Sequence, residues 1–155
     1  MTTVPFRPLL VASLLALAGT ACAATPAAPL ALDDAAVSLP AAQLQWRDVP
    51  GTGGAVRYAN TQGDILSDGK GFYSAFVRFK AGTDNGLHTH SQTLPTVVLA
   101  GTFYARIDGR EVLYPAGSFY NLPAGKVHES GCKAGTDCLL FQYQANNFDL
   151  VSAKG

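Results

Sequence analysis

From Gln45-Trp46 onward the chain alternates short apolar runs with clusters of glycine, asparagine and aspartate, and no stretch repeats its apolar residues at helical spacing. Ala55 to Ala59 reads as a strand and Asn60 to Asp64 as a turn. Gly71 to Lys80 is the strongest strand: apolar residues occupy both faces at first and then alternate, as expected of a central strand with a partly covered outer face. Ala81 to Gly86 reads as a turn, Thr96 to Ile107 as one long strand, and Asp108-Gly109 as a tight hairpin, because both residues tolerate positive backbone dihedrals. Leu113 to Ala116 leads into Gly117, with Pro115 marking an edge. Leu122-Pro123-Ala124-Gly125 is a second glycine turn, Cys138 to Tyr143 a last apolar strand, and Gln144 to Gly155 a polar tail. Many short strands at this spacing predict an all-β sandwich or barrel of antiparallel strands.

The first residues follow a different pattern. One positive charge at Arg7 precedes the apolar run Leu9 to Leu17, and Ala21-Cys22-Ala23 supplies small residues at the spacing of a signal-peptidase site, so residues 1–23 read as a secretory signal. Cys22 raises lipid attachment, but Gly19 stands where the attachment box has leucine, which favours a free periplasmic or secreted protein. Residues 24–44 are rich in alanine and proline and read as an arm, with a poor helical-turn signal at Asp33 to Ala36; residues 45–150 form the domain. After removal of the signal the length suits one core, with no membrane span.

Composition narrows the partners. The 11 basic and 11 acidic residues balance, and the basic ones are scattered, so nothing suggests nucleic acid; a small-molecule ligand or substrate is the expected partner. Cys132 and Cys138 bracket Gly135 and Asp137, both turn residues, and are expected to face each other across a hairpin as a disulfide in an oxidising compartment. The competing reading makes Cys132 a thiolate ligand or redox group, since it lies four residues beyond His128.

All 3 histidines fall in two glycine-bracketed segments. His88 and His90 are two apart in strand-like sequence and so share a face; His128 ends the run from Gly117. Taken singly, each has an ordinary reading as a satisfied or exposed polar residue. Together they suggest a metal site. Glu129 should face the opposite way on a strand. Gln92 has the parity to reach the same interior, and Tyr104, Arg106, Tyr120, Gln142 and Tyr143 are candidate pocket residues.

These segments resemble the paired motifs of the cupin superfamily. Gly82, His88, His90 and Gly101 fall at the spacings of the first motif, with Leu94 (or Pro95) where the glutamate would be; Gly117, Pro123, Gly125 and His128 match the second, with Cys132 in place of asparagine. The region is also similar to the small metal-binding cupin domain of anti-sigma factors. The resemblance implies a jelly-roll barrel holding one divalent ion (zinc, iron, manganese or nickel) through His88, His90 and His128, without the usual carboxylate. It implies an oxygenase- or isomerase-like activity on a small molecule, or alternatively a non-enzymatic ligand- or metal-binding and sensing module. Cupins frequently pair, so a homodimer is also expected.

Overall fold

The computed structural model describes residues 37–67, 71–146 and 148–153. The expected secretory signal, most of the alanine/proline arm and the Asp33 to Ala36 turn therefore lie outside the described residues. After a single 3-10 turn at Ala41–Gln43, the described chain is built from strands: β1 (Arg47–Asp48), β2 (Val56–Gln62), β3 (Tyr73–Phe79), β4 (Asp84–Thr89), β5 (Thr96–Ala100), β6 (Thr102–Ile107), β7 (Arg110–Pro115), β8 (Phe119–Tyr120), β9 (His128–Cys132), β10 (Cys138–Gln144) and β11 (Val151–Ser152). They form a six-stranded sheet in the order β1-β2-β3-β10-β5-β8 and a five-stranded sheet in the order β11-β4-β9-β6-β7, with every pairing antiparallel. The two sheets make a jelly roll, and among the described residues no hydrogen-bonded pairing closes them into a barrel.

Period-2 alternation produces the core. Along β10, Cys138, Leu140, Gln142 and Gln144 are buried, and across the ladder they oppose Phe79, Val77, Ala75 and Tyr73 of β3. On the other side Leu140 opposes Val98 and Gln142 opposes Thr96. The inward face thus changes from apolar to polar along one strand. Phe79 of one sheet meets Phe103 of the other edge-on, with centroids 5.2 Å apart, a geometry that adds to the burial of two rings.

The Asp108-Gly109 hairpin forms as expected, with φ of 49° and 75° and Ile107 paired to Arg110; β7 and its Pro115 sit at a sheet edge. Four other expectations are corrected. The expected turn at Asn60 to Asp64 is displaced, because β2 runs on to Gln62 through a register shift and Asn60 instead caps the later turn by accepting from the Ile65 N–H at 3.1 Å. Thr96 to Ile107 is not one strand. Gly101, at φ 73°, breaks it so that β5 and β6 enter different sheets, and a side chain there would lie 2.7 Å from the Asp137 carbonyl. The polar tail contains β11, which pairs with β4. Finally, Cys132 and Cys138 are disulfide-bonded but not across a hairpin, since β9 and β10 belong to opposite sheets.

Candidate metal centre

Strands β4 and β9 position the histidines. Their register sets His88 directly opposite His128. His90 follows β4, and its carbonyl accepts from the Gly125 N–H at 2.9 Å, which ties the Pro123–Gly125 turn to the His-x-His segment. The ring centroids are 4.2 Å apart for His88 and His128, 4.9 Å for His88 and His90, and 5.3 Å for His90 and His128. One ligand nitrogen from each ring lies within 4.8 Å of the others, and all three residues are buried.

Hydrogen bonds decide which nitrogens converge. Nδ1 of His88 donates to the Gly86 carbonyl at 2.8 Å, Nδ1 of His128 to the Lys126 carbonyl at 2.9 Å, and Nδ1 of His90 to the Asp149 carbonyl. A carbonyl can only accept, so each Nδ1 carries the proton and each Nε2 keeps a free electron pair. Nε2 of His88 is buried with no hydrogen-bond partner, a situation that costs about 1–3 kcal/mol unless something satisfies it. Burial also acts on charge: desolvation holds His88 down to about 4 against the opposing Gly86 bond, and lowers His90 as well. Neutral imidazoles with free Nε2 atoms are the form that ligates metal, and three of them fit zinc, iron or nickel well.

Two of the carbonyls are local, two residues before their histidines. The third comes from the segment leading into β11. There the Asp149 carboxylate accepts from the Ser91 N–H at 2.8 Å and from the Ser91 hydroxyl. Phe148 tilts against His90 at 5.2 Å, the Phe148 N–H donates to the Ile65 carbonyl, and the Ala153 N–H donates to the Leu87 carbonyl. Residues 148–153 therefore form a strap across the histidine cluster.

A cavity of about 590 Å³ opens beside His90 and His128. Leu94, which stands where the first of the resembled motifs has its glutamate, is buried in its wall, with Tyr120 and Gln142 also lining it. The other candidates lie elsewhere. Gln92 is exposed. Glu129 pairs with Arg106, whose other nitrogen reaches Glu111 at 3.1 Å. Tyr104 is buried against Gly131, and Tyr143 is exposed. Sequence reasoning missed Ser91, Phe148, Asp149 and Leu150; the signal for them was the apolar Phe148 and Leu150-Val151 inside a tail otherwise read as polar. It also missed Asp84, which lines the cavity and whose carboxyl is held low by the Gly86 N–H and Tyr104. Among the described residues no helix is long and apolar enough to cross a membrane.

Residues 75–141 match the family model described as "Cupin domain". No curated protein matches the chain. Among solved structures, the polyketide cyclase RemF from Streptomyces resistomycificus superposes with a TM-score of 0.63 at 15% identity, over 76% of this chain and 85% of that one. An RmlC-like cupin protein from Ralstonia eutropha gives 0.59 at 18% identity, over 73% and 70%. The Rhodobacter sphaeroides complex of SigE with the anti-sigma factor ChrR gives 0.52 at 22% identity, over 68% of this chain and 51% of that one. At such identities the likeness is one of fold. Together with the family match and the paired glycine and histidine segments, it establishes that this chain contains a small domain of the cupin superfamily.

Proposed function

We propose that this chain is an exported cupin that binds one divalent metal ion through Nε2 of His88, His90 and His128 and acts on a small molecule in the adjoining cavity, in an oxygenase- or isomerase-like reaction. The observation that carries it is the set of three Nδ1-to-carbonyl bonds, which leaves three Nε2 electron pairs free in a space 4.8 Å across. An ion held by three neutral imidazoles with open positions supplies Lewis-acid or, if redox-active, one-electron chemistry. The chain's own part is to fix the tautomer of those rings, shield them from water and orient the substrate. With Leu94 in place of a carboxylate, the ligand set carries no negative charge of its own, which favours an anionic ligand or a hydroxide in the open position. Export is supported by the apolar run Leu9 to Leu17 and by the Cys132–Cys138 disulfide.

The test is elemental analysis of the purified protein beside a His88→Ala, His90→Ala, His128→Ala triple variant. About one equivalent of metal in the first and none in the second is expected; equal content in both refutes the reading. A second reading, a binding or sensing module without turnover, draws support from one feature: among the described residues Asp84 is the only carboxylate lining the cavity, and its lowered pKa makes it a weak base. Thermal stabilisation by a small molecule, without product formation in metal-replete protein, would favour that alternative.

A further inference from the structure

The walls of the cavity specify what it takes. Ile65, Leu66, Phe79, Leu94, Phe148 and Leu150 make much of its surface apolar, and none of the described lysines and arginines lines it. A phosphate or polycarboxylate entering this space would shed its water with no cation of the chain to replace it. A sugar would need partners for many hydroxyls, yet most of the polar side chains here are already engaged. Thr52 Oγ1 donates to the Val49 carbonyl at 2.8 Å and Thr83 Oγ1 to the Lys80 carbonyl at 2.7 Å, while Asn85 Nδ2 donates to Ser130 Oγ at 3.0 Å.

Gln142 is different. Thr96 Oγ1 donates to the Leu94 carbonyl at 3.0 Å, so its proton is committed, and Gln142 must approach it as donor through Nε2, at 3.2 Å. That relay fixes the amide. Beside the histidine Nε2 atoms that the ion would occupy, Oε1 is a further free acceptor, and no donor among the described residues meets it. An acceptor held in this way on a side chain only 4% exposed, in a mostly apolar wall, is matched by one donor on an otherwise apolar ligand.

We propose that the cavity binds a neutral, predominantly apolar ring compound bearing a hydroxyl, of the phenol or enol class, whose O–H donates to Gln142 Oε1. The proposal rests on reading this cavity as the substrate site and deepens that reading by naming the ligand class. Gln142 is then the residue that distinguishes a hydroxylated ligand from its plain hydrocarbon analogue, because discrimination is strongest where a site is built around one donor–acceptor pair.

The experiment is calorimetric titration of the full chain, with and without bound metal, using 1-naphthol, naphthalene and glucose 6-phosphate. The expected result in the metal-free protein is that 1-naphthol binds about tenfold or more tightly than naphthalene and that glucose 6-phosphate does not displace it. In Gln142→Leu, similar in volume and without the acceptor, the preference for naphthol over naphthalene should collapse, while naphthalene itself should still bind. Equal affinity of wild-type protein for naphthol and naphthalene, absence of binding by both, or displacement by glucose 6-phosphate overturns the proposal. The wild-type comparison needs no variant to fold. Metal content, measured separately, shows whether the reading of the histidine centre stands or falls independently of the ligand.

Discussion

At the scale of single residues, the three histidines were legible because they are the only ones in the chain and two of them share strand parity. What made them a site was not legible. Each Nδ1 is fixed by a main-chain carbonyl, and carbonyls leave no mark on sequence; the partner of His90 is 59 residues away. Burial of these rings has a measurable consequence for the metal-free protein. The folded chain holds His88 at about 4, whereas an unfolded imidazole titrates near ~6.5. Between those values the unfolded chain binds a proton that the fold rejects, so stability falls as pH falls. Well above about 6.5 the ring is neutral in both states and adds no pH-dependent penalty. The urea midpoint of chelator-treated protein should therefore decline as pH is lowered from about 6.5 toward about 4, and it should decline less in His88→Gln. The carboxyls of Asp64 and Asp84, lowered by hydrogen bonds first of all, add a separate loss of stability at more acid pH. Identical pH dependence of wild type and His88→Gln would show that the imidazole is not held neutral by the fold.

At the scale of elements, the strands were readable wherever one face is buried, as in β3, β10 and the Asp108-Gly109 hairpin. The misreadings came where a single residue redirects the chain. Gly101 carries a run of apolar residues from one sheet to the other, and a composition-based reading sees only continuity. The strap at 148–153 was hidden differently: its contribution lies in the Asp149 carbonyl and the Asp149–Ser91 clamp, which depend on long-range docking rather than local pattern. Its role can be measured as metal affinity. Outer partners that orient a ligating histidine typically change affinity by about 10–100-fold when lost. Asp149→Ala should loosen the clamp on Ser91 and weaken divalent-ion binding by about tenfold, and truncation after Gln144 should weaken it more. Competition against a chromophoric chelator reads both. Asp149→Asn, which keeps an acceptor for the Ser91 N–H, should recover much of the loss; unchanged affinity in all three variants would reduce the strap to a cover.

At the scale of the whole molecule, the all-β architecture followed from strand spacing, and the jelly roll from the cupin resemblance that the paired glycine and histidine segments carry. The division of the strands between two sheets did not follow, because sequence shows which residues alternate but not which sheet each strand joins. The disulfide illustrates this. Seen from the sequence, Cys132 and Cys138 close a small loop; in the fold they link the end of β9 in one sheet to the start of β10 in the other, beside the Gly101 crossing. Neither cysteine lines the cavity. So small a ring constrains the unfolded chain by about 2 kcal/mol, which for a domain of this size lowers Tm by roughly 5–10 °C when it is lost. A Cys132→Ser, Cys138→Ser double variant should therefore melt lower by about that amount, and a reductant should lower the wild type similarly while leaving the variant unmoved. Metal content should stay the same in both, because the ligands are imidazoles and the sulfurs are bound to each other. Loss of metal from the double variant, with its melting temperature intact, would instead make Cys132 a thiolate ligand and remove the disulfide from the account of how the two sheets are held together.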